Sequence, residues 1–187
     1  APNTLELFSA PNVGLFGRGN GDPCGGSTPS KTLAECALTG VAAVDYGVID
    51  NNPAGQYNQR TSGNAALRPE KADTWTLGVV LNPIRNFTLS VDAYQISIKD
   101  SIGSLGANFI LDQCIVTGDA FFCSKVNRSA GGSLWTGDGF VDNPTLNLGK
   151  VETRGIDVTW NYKLELGNSS ALTFDMVGTY LDRYKVE

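Results

Sequence analysis

Long alternating segments constrain this chain more than any other feature. Within 73–81, Trp75, Leu77, Val79 and Leu81 fall on one side of an extended chain, and Thr74, Thr76, Gly78 and Val80 on the other. The reason is the two-residue repeat of a strand, whose successive side chains point to opposite faces. Phe87, Leu89, Val91 and Ala93 alternate in the same way with Thr88, Ser90 and Asp92. Ile156, Val158, Trp160, Tyr162 and Leu164 alternate with Gly155, Asp157, Thr159, Asn161 and Lys163. Leu172, Phe174, Met176 and Tyr180 alternate with Thr173, Asp175 and Thr179. The pattern predicts an all-β chain with strands near 73–81, 87–99, 151–164 and 171–184. These run to ~9–15 residues against the ~5–6 usual in globular proteins, long enough for a tilted strand to cross a bilayer.

The connections alternate as well. Asn82-Pro83-Ile84-Arg85-Asn86 and Gly167-Asn168-Ser169 read as tight turns, whereas 9–63 and 100–149 are long. Connections of ~50 residues are uncommon inside a compact domain. Long loops at one sheet end and tight turns at the other suit an outer-membrane barrel, with apolar residues toward lipid and polar residues toward the lumen. Trp75, Phe87, Trp160, Tyr162, Phe174 and Tyr180 then occupy the positions of an interfacial aromatic belt. No apolar run approaches the ~20 residues of a membrane helix, which leaves a barrel open. The same alternation also fits a soluble β-sandwich, where the oily faces meet a protein core. That alternative makes the chain a secreted module binding glycan or another protein.

The long connections carry their own signals. Thr32-Leu33-Ala34-Glu35 fits a capping box and predicts a short helix from about Leu33; a second is predicted near 107–115. Residues 1–8 read as the exit of an earlier strand. Cys24, Cys36, Cys114 and Cys123 lie too far apart for a zinc knuckle and sit in polar, glycine-rich segments. Disulfides fit them and imply an oxidising compartment. Of three connectivities, Cys24–Cys36 with Cys114–Cys123 closes the shortest loops.

The absence of histidine removes Ser-His-Asp and Cys-His nucleophile systems and every histidine-containing metal site. No catalytic residue, metal ligand or cofactor is assigned. Charged residues make up 18% of the chain, against roughly 25% in a typical globular domain. The net charge of −5, with no run of clustered Lys and Arg, argues against nucleic acid. Gly17, Gly19 and Gly21 lack the preceding strand and following helix of a nucleotide-binding loop and read as a flexible loop. Asp138-Gly139-Phe140-Val141-Asp142-Asn143 lacks calcium-loop spacing and reads as solvated loop carboxylates. Asp92, Asp157 and Asp175 fall on polar faces and read as lining a wet lumen rather than as a glycosidase pair. Arg18, Tyr46, Tyr57, Arg60, Arg128 and Trp135 are the candidate ligand contacts, because recognition concentrates in loops on a rigid scaffold. Each could equally pack only its own loop.

Asn64-Ala65-Ala66-Leu67-Arg68-Pro69-Glu70-Lys71-Ala72-Asp73-Thr74-Trp75 resembles the barrel signature of TonB-dependent outer-membrane receptors, a Gly-Asn-Pro-x-Leu-Lys-Pro-Glu loop entering a strand. Ala65-Ala66 replaces the usual Pro and its neighbour. Ala1-Pro2-Asn3-Thr4-Leu5-Glu6-Leu7-Phe8 resembles that family's Arg-Ala-Pro-Asn-x-x-Glu-Leu-Phe segment. The stretch from Leu89 to Asp100 looks like its next strand, and Thr153-Arg154-Gly155-Ile156-Asp157 like a later strand start. The resemblance implies a partial transmembrane β-barrel, about four or five strands of a roughly 22-stranded whole, with 9–63 and 100–149 as extracellular loops containing short helices. It implies the Gram-negative outer membrane, contact with outer-membrane lipid, and uptake of a scarce nutrient. A ferric siderophore is the commonest substrate of such receptors, and a carbohydrate another. TonB would act through an N-terminal plug that these residues do not include.

Overall fold

The computed structural model describes residues 1–167 and 170–186, so Asn168 and Ser169 of the predicted turn lie outside the described residues. In chain order the elements are α1 (Thr4–Phe8), β1 (Asn12–Gly17), α2 (Leu33–Ala37), β2 (Gln56–Thr61), β3 (Lys71–Leu81), β4 (Phe87–Lys99), β5 (Ile102–Gly103), α3 (Ala107–Thr117), α4 (Ala120–Cys123), β6 (Val126–Asn127), β7 (Phe140–Asp142), β8 (Leu146–Asn147), β9 (Lys150–Gly167) and β10 (Ser170–Val186). They divide into two units, a sheet unit of 69–101 and 147–186 and a loop unit of 1–68 and 102–146.

The sheet unit holds the four predicted strands, each somewhat longer than its apolar pattern. They form an antiparallel sheet in the order β10-β9-β4-β3. The tight turn after β3 ends at Asn86, which adopts a positive φ of 63°, a conformation Asn tolerates better than most residues. Its carbonyl accepts from the Lys163 amide at 2.9 Å.

Register carries the apolar alternation across all four strands. Leu77, Ala93, Ile156 and Tyr180 form one row; Val79, Val91, Val158 and Gly178 the next; Leu81, Leu89, Trp160 and Met176 a third. Phe87, Tyr162 and Phe174 continue the same face. Among the described residues of this unit no layer covers the face: Leu77 is 68% exposed and Tyr180 67%. A β-sandwich would bury these side chains in a protein core, so the sandwich alternative does not describe this sheet. Left in water, so large an apolar patch would be an aggregation liability. From Ile156 to Leu166 the stripe on β9 is about 34 Å long at ~3.4 Å per residue, or ~24 Å of height at a tilt of about 45°. That matches the roughly 25 Å apolar band of an outer-membrane barrel.

The opposite face is polar over the same height, and its groups satisfy one another. Gly78, Asp92, Asp157 and Thr179 form one row. The Thr179 hydroxyl donates to Asp157 at 2.6 Å, Asn161 Nδ2 to Asp175 at 2.6 Å, and the Ser90 hydroxyl to Asp92 at 2.6 Å. At Gly78 a Cβ would meet the Asp92 carboxylate, which would have to turn aside. At Gly155, a Cβ would stand 2.5 Å from the Tyr180 carbonyl oxygen and 2.7 Å from the Tyr94 hydroxyl.

The loop unit departs further from the sequence reading. Residues 1–8 are not an extended strand exit: Asn3 caps α1, accepting from the Glu6 amide at 2.9 Å while Glu6 accepts from the Asn3 amide at 2.7 Å. The connection 9–63 contains two strands, and the unit has its own sheet in the order β1-β2-β7-β6. β1 and β2 pair antiparallel from Asn12–Thr61 to Gly17–Gln56, and β2 pairs with β7 in parallel. These strands escape a periodicity search because each buries a single large side chain, Phe16 and Tyr57, whose rings lie 5.9 Å apart. The core gathers around α3, whose Ile110, Leu111, Cys114 and Ile115 are all at most 2% exposed. Phe16, Val41, Ile49, Tyr57, Leu134 and Val141 join it from both connections.

Candidate functional site

The loop unit carries all six candidate ligand contacts, and its construction explains how each is held. Two disulfides fix its outline: Cys24 is bonded to Cys36, and Cys114 to Cys123. The first ties the glycine-rich segment to α2, and the second ties α3 to α4. The predicted capping box is present at α2. The Thr32 hydroxyl accepts from the Glu35 amide at 3.3 Å, and Glu35 accepts from the Thr32 amide at 2.8 Å. The Thr32 amide, then its hydroxyl, hold the Glu35 carboxyl below its ordinary value of 4.5, with Lys31 adding a smaller effect.

At the centre is a charge pair that the sequence does not announce. Arg128 donates to Asp22 through Nη1 at 2.5 Å and Nη2 at 3.0 Å, with side chains 1% and 2% exposed. Arg128 also donates to the Thr39 hydroxyl at 2.9 Å and the Gly132 carbonyl at 2.7 Å. Asp22 Oδ1 accepts in addition from the Cys24 amide at 3.0 Å. A buried ion pair is tolerated only with such full satisfaction of its remaining donors and acceptors. The segment at Gly17–Gly21 therefore leads into a fixed residue rather than a free loop, and a strand, β1, does precede it.

Tyr57 is also interior. At 1% exposure, its hydroxyl accepts from the Asp22 amide at 2.8 Å and donates to Asn51 Oδ1 at 3.0 Å. Tyr46 is half-buried against the core and donates to the Lys31 carbonyl at 2.8 Å. Trp135 is similarly placed, its Nε1 donating to the Asp50 carbonyl at 2.9 Å. Arg60 pairs with Asp142 at 3.0 Å and lies 4.3 Å over the Phe140 ring. Asp142 is thus a structural partner, not a solvated carboxylate. Neighbouring Asn143 is buried, accepting from the Gly106 amide at 3.1 Å and donating to Gln59 at 3.1 Å.

Arg18 is the candidate with a recess beside it. Its Nη2 meets Asp112 at 2.6 Å, its Nη1 meets Asn108 at 3.0 Å, and its Nε donates to the Gly21 carbonyl at 2.9 Å. Gly17, Arg18, Gly19, Asn20, Asn108 and Asp112 line an open, polar cavity of about 340 Å³. A second recess of about 620 Å³ lies between α1 and the paired ends of β1 and β2 at Asn12 and Thr61, with Leu5 and Phe8 exposed at its rim. The first offers guanidinium and amide donors beside a carboxylate, and the second offers apolar surface with hydroxyls.

The structure thus brings Tyr57 and Arg128 together around Asp22, and leaves Arg18, Arg60, Tyr46 and Trp135 partly open. Sequence reasoning missed Asp22, Asn51 and Asp112, and took Asn143 only as part of a solvated loop. A faint signal existed in the Asp22-Pro23-Cys24 tripeptide, a turn-forming Asp beside a half-cystine.

Residues 1–186 match the family described as TonB dependent receptor-like, beta-barrel. No curated protein matches the chain. Among solved structures it is similar to an arginine mutant of the ferric enterobactin receptor from Pseudomonas aeruginosa in complex with enterobactin, at 19% identity and a TM-score of 0.41. A glutamine mutant of the same receptor, also with enterobactin, gives 18% and 0.41. Each match covers 67% of this chain and 15% of the other, so the chain spans a small part of the length of these structures.

Proposed function

We propose that this chain, which belongs to the TonB-dependent receptor-like β-barrel family, contributes barrel wall and ligand-recognition loops to an active importer of a scarce nutrient. Members of that family are Gram-negative outer-membrane proteins, and the all-β architecture here is a partial transmembrane β-barrel. The observation that carries the reading is the sheet of β3, β4, β9 and β10. One face is apolar over ~24 Å of height, and the other is polar and internally hydrogen-bonded over the same height.

On this reading the connections 9–63 and 100–149 face the outside and contact the nutrient. A ferric siderophore is the first candidate and a carbohydrate the second. Arg18 and Arg60 suit the siderophore better, because a ferric chelate of catecholate or hydroxamate type is anionic or rich in acceptor oxygens. Trp135 and Tyr46 add flat apolar surface. Tyr57 and Arg128 act by holding the loops in shape. The energy comes from TonB, engaged by a plug that is not among these residues. The chain's role is transport rather than catalysis.

The test is uptake by the full-length receptor in a strain deleted for it. Iron-loaded siderophores of catecholate, hydroxamate and citrate type are supplied with and without a functional TonB system, alongside a panel of oligosaccharides. TonB-dependent accumulation of one iron chelate is the expected result. Accumulation of none, or transport that ignores TonB, refutes the proposal. Selective saccharide uptake replaces the siderophore with the second substrate class.

A further inference from the structure

The two disulfides of the loop unit differ in what surrounds their sulfurs. Cys24, Cys36 and Cys114 are 0% exposed, whereas Cys123, at the end of α4, is half-buried. Thiol–disulfide exchange begins with a thiolate reaching one sulfur of the bridge, so access decides which bridge reacts. While the unit stays folded, the Cys24–Cys36 bridge offers no accessible end. The Cys114–Cys123 bridge offers Cys123.

The surroundings also accommodate the opened form. Reduction leaves two thiols, each a weak hydrogen-bond donor. Acceptors already stand beside both: the Leu38 carbonyl oxygen lies 3.4 Å from Cys114 Sγ, and the Cys114 carbonyl oxygen 3.5 Å from Cys123 Sγ. In the other bridge the Lys31 carbonyl is farther from Cys36 Sγ, at 3.9 Å. The two helices joined by the accessible bridge are held very differently. α3 is anchored in the core by Ile110, Leu111 and Ile115. The bonds that shape α4 are local. Asp119 accepts from the Phe121 amide at 2.7 Å, and the amides of Phe122, Cys123, Ser124 and Lys125 donate to carbonyls within 119–122. Beyond the bridge, the Phe109–Phe122 ring pair at 5.8 Å joins α4 to α3. Opening the bridge therefore releases α4 and leaves α3 in place, with its Asn108 and Asp112 still on Arg18.

We propose that Cys123 is a site of thiol–disulfide exchange, at which a small thiol reversibly opens the bridge to Cys114 in the folded receptor. The incoming thiolate attacks Cys123 Sγ. A new S–S bond forms there as the Cys114–Cys123 bond breaks, and Cys114 leaves as a thiolate that takes up a proton. A second thiol then displaces Cys123 from the mixed disulfide. Two thiols are oxidised to one disulfide, and the bridge is reduced to two cysteines. Without the second thiol, Cys114 attacks the mixed disulfide and restores the bridge. The partner is a slender thiol rather than a folded oxidoreductase, because Cys123 packs against the core beside Phe122. The bridge is closed in an oxidising compartment and opens where thiol is supplied, freeing Phe121 and Phe122 with α4.

The experiment incubates the full-length receptor in neutral detergent with reduced glutathione, quenches with acid, alkylates free thiols and maps them by peptide mass spectrometry. Cys114 and Cys123 are expected to be labelled faster than Cys24 and Cys36 by a factor on the order of ten or more, because one bridge needs only local opening. Amide hydrogen exchange is expected to rise in 118–125 and to stay unchanged in 108–115. The two single variants separate the sulfurs. With glutathione disulfide, C114S is expected to gain one glutathionyl group at Cys123, releasing one reduced glutathione. C123S is expected to leave the buried Cys114 unmodified. Equal labelling of both bridges, resistance of both until denaturant is added, or equal modification of C114S and C123S overturns the proposal. So does reduction by thioredoxin with none by glutathione, which would require a protein partner. Heat-modifiable electrophoretic mobility reports barrel folding. If either variant does not fold, the labelling rates of the wild-type protein carry the test.

Discussion

Arg128 grips both carboxylate oxygens of Asp22, a residue 106 positions earlier, with neither side chain more than 2% exposed. The pair locks the segment after β1 to the segment after β6 inside one core. Removing one partner strands a buried charge, which costs about 3–5 kcal/mol, whereas replacing both with apolar groups often costs far less. Arg128→Ala is therefore expected to lower the opening free energy of the loop unit by about 3–5 kcal/mol. Arg128→Met combined with Asp22→Leu is expected to recover most of it. Amide hydrogen exchange at Cys24, Val41 and Leu134 measures both. Equal losses in the single and double variants would show that the pair contributes only volume.

The two disulfides act on the same unit through the unfolded state. Each closes a short local loop, and on the chain-entropy model each adds about 3 kcal/mol. Cys24 and Cys36 are both 0% exposed, so reductant reaches their bridge only when the unit opens, whereas the Cys114–Cys123 bridge has its Cys123 end partly exposed. Cys24→Ser with Cys36→Ser is expected to make residues 20–50 sensitive to thermolysin while the sheet strands stay protected. Uniform protection would mean the core of Ile110, Leu111 and Ile115 suffices alone.

The strands and the α2 cap were legible because their signals are local. A two-residue alternation in 151–164 or a Thr32–Glu35 spacing needs no knowledge of the rest of the chain. The loop core was not legible, because its determinants are single side chains contributed from afar. Phe16 and Tyr57 are each the one buried side chain of their strand, Phe16 beside an exposed Leu15, and Asp22 finds Arg128 only once the two connections fold together. The same limit hides the grouping of Lys71, Lys99, Lys150, Arg154, Arg183 and Lys185 on one face of the sheet, contributed by four strands. Arg18, Tyr46, Arg60 and Trp135 stand out in the sequence only by residue type and loop position. The structure adds what each is bonded to, which residue type cannot reveal.

The α2 cap gives the loop unit a pH dependence of known sign. Glu35 is held below 4.5 chiefly by the Thr32 amide. A carboxylate whose folded-state value is depressed contributes stability above its unfolded value and loses it as pH falls through the folded one. Protection of the α2 amides is therefore expected to be constant above about pH 5, where unfolded carboxylates are ionised, and to decline on acidification below 4.5. Glu35→Gln is expected to flatten that decline. An unchanged profile in the variant would move the titration to another group.

The depth profile of the sheet tests the membrane reading most directly. Val158 sits in the row with Val79 and Val91, inside the apolar band, and the next residue, Thr159, points to the polar face. An arginine on the lipid face near the bilayer midplane costs about 2–4 kcal/mol, and less toward the interface. Val158 lies two residues inside the Ile156 end of the stripe, between midplane and interface, so Val158→Arg is expected to weaken folding of the full-length barrel into phosphatidylcholine vesicles by about 2 kcal/mol, the lower end of that range, measured by denaturant titration. Thr159→Arg, which meets water in the lumen, is expected to stay within about 1 kcal/mol of wild type. Leu166→Arg, at the far end of the stripe, should fall between the two. Equal penalties at 158 and 159 would remove the distinction between a lipid face and a lumen face. The transport reading depends on that distinction, because it requires a wet interior behind an oily wall.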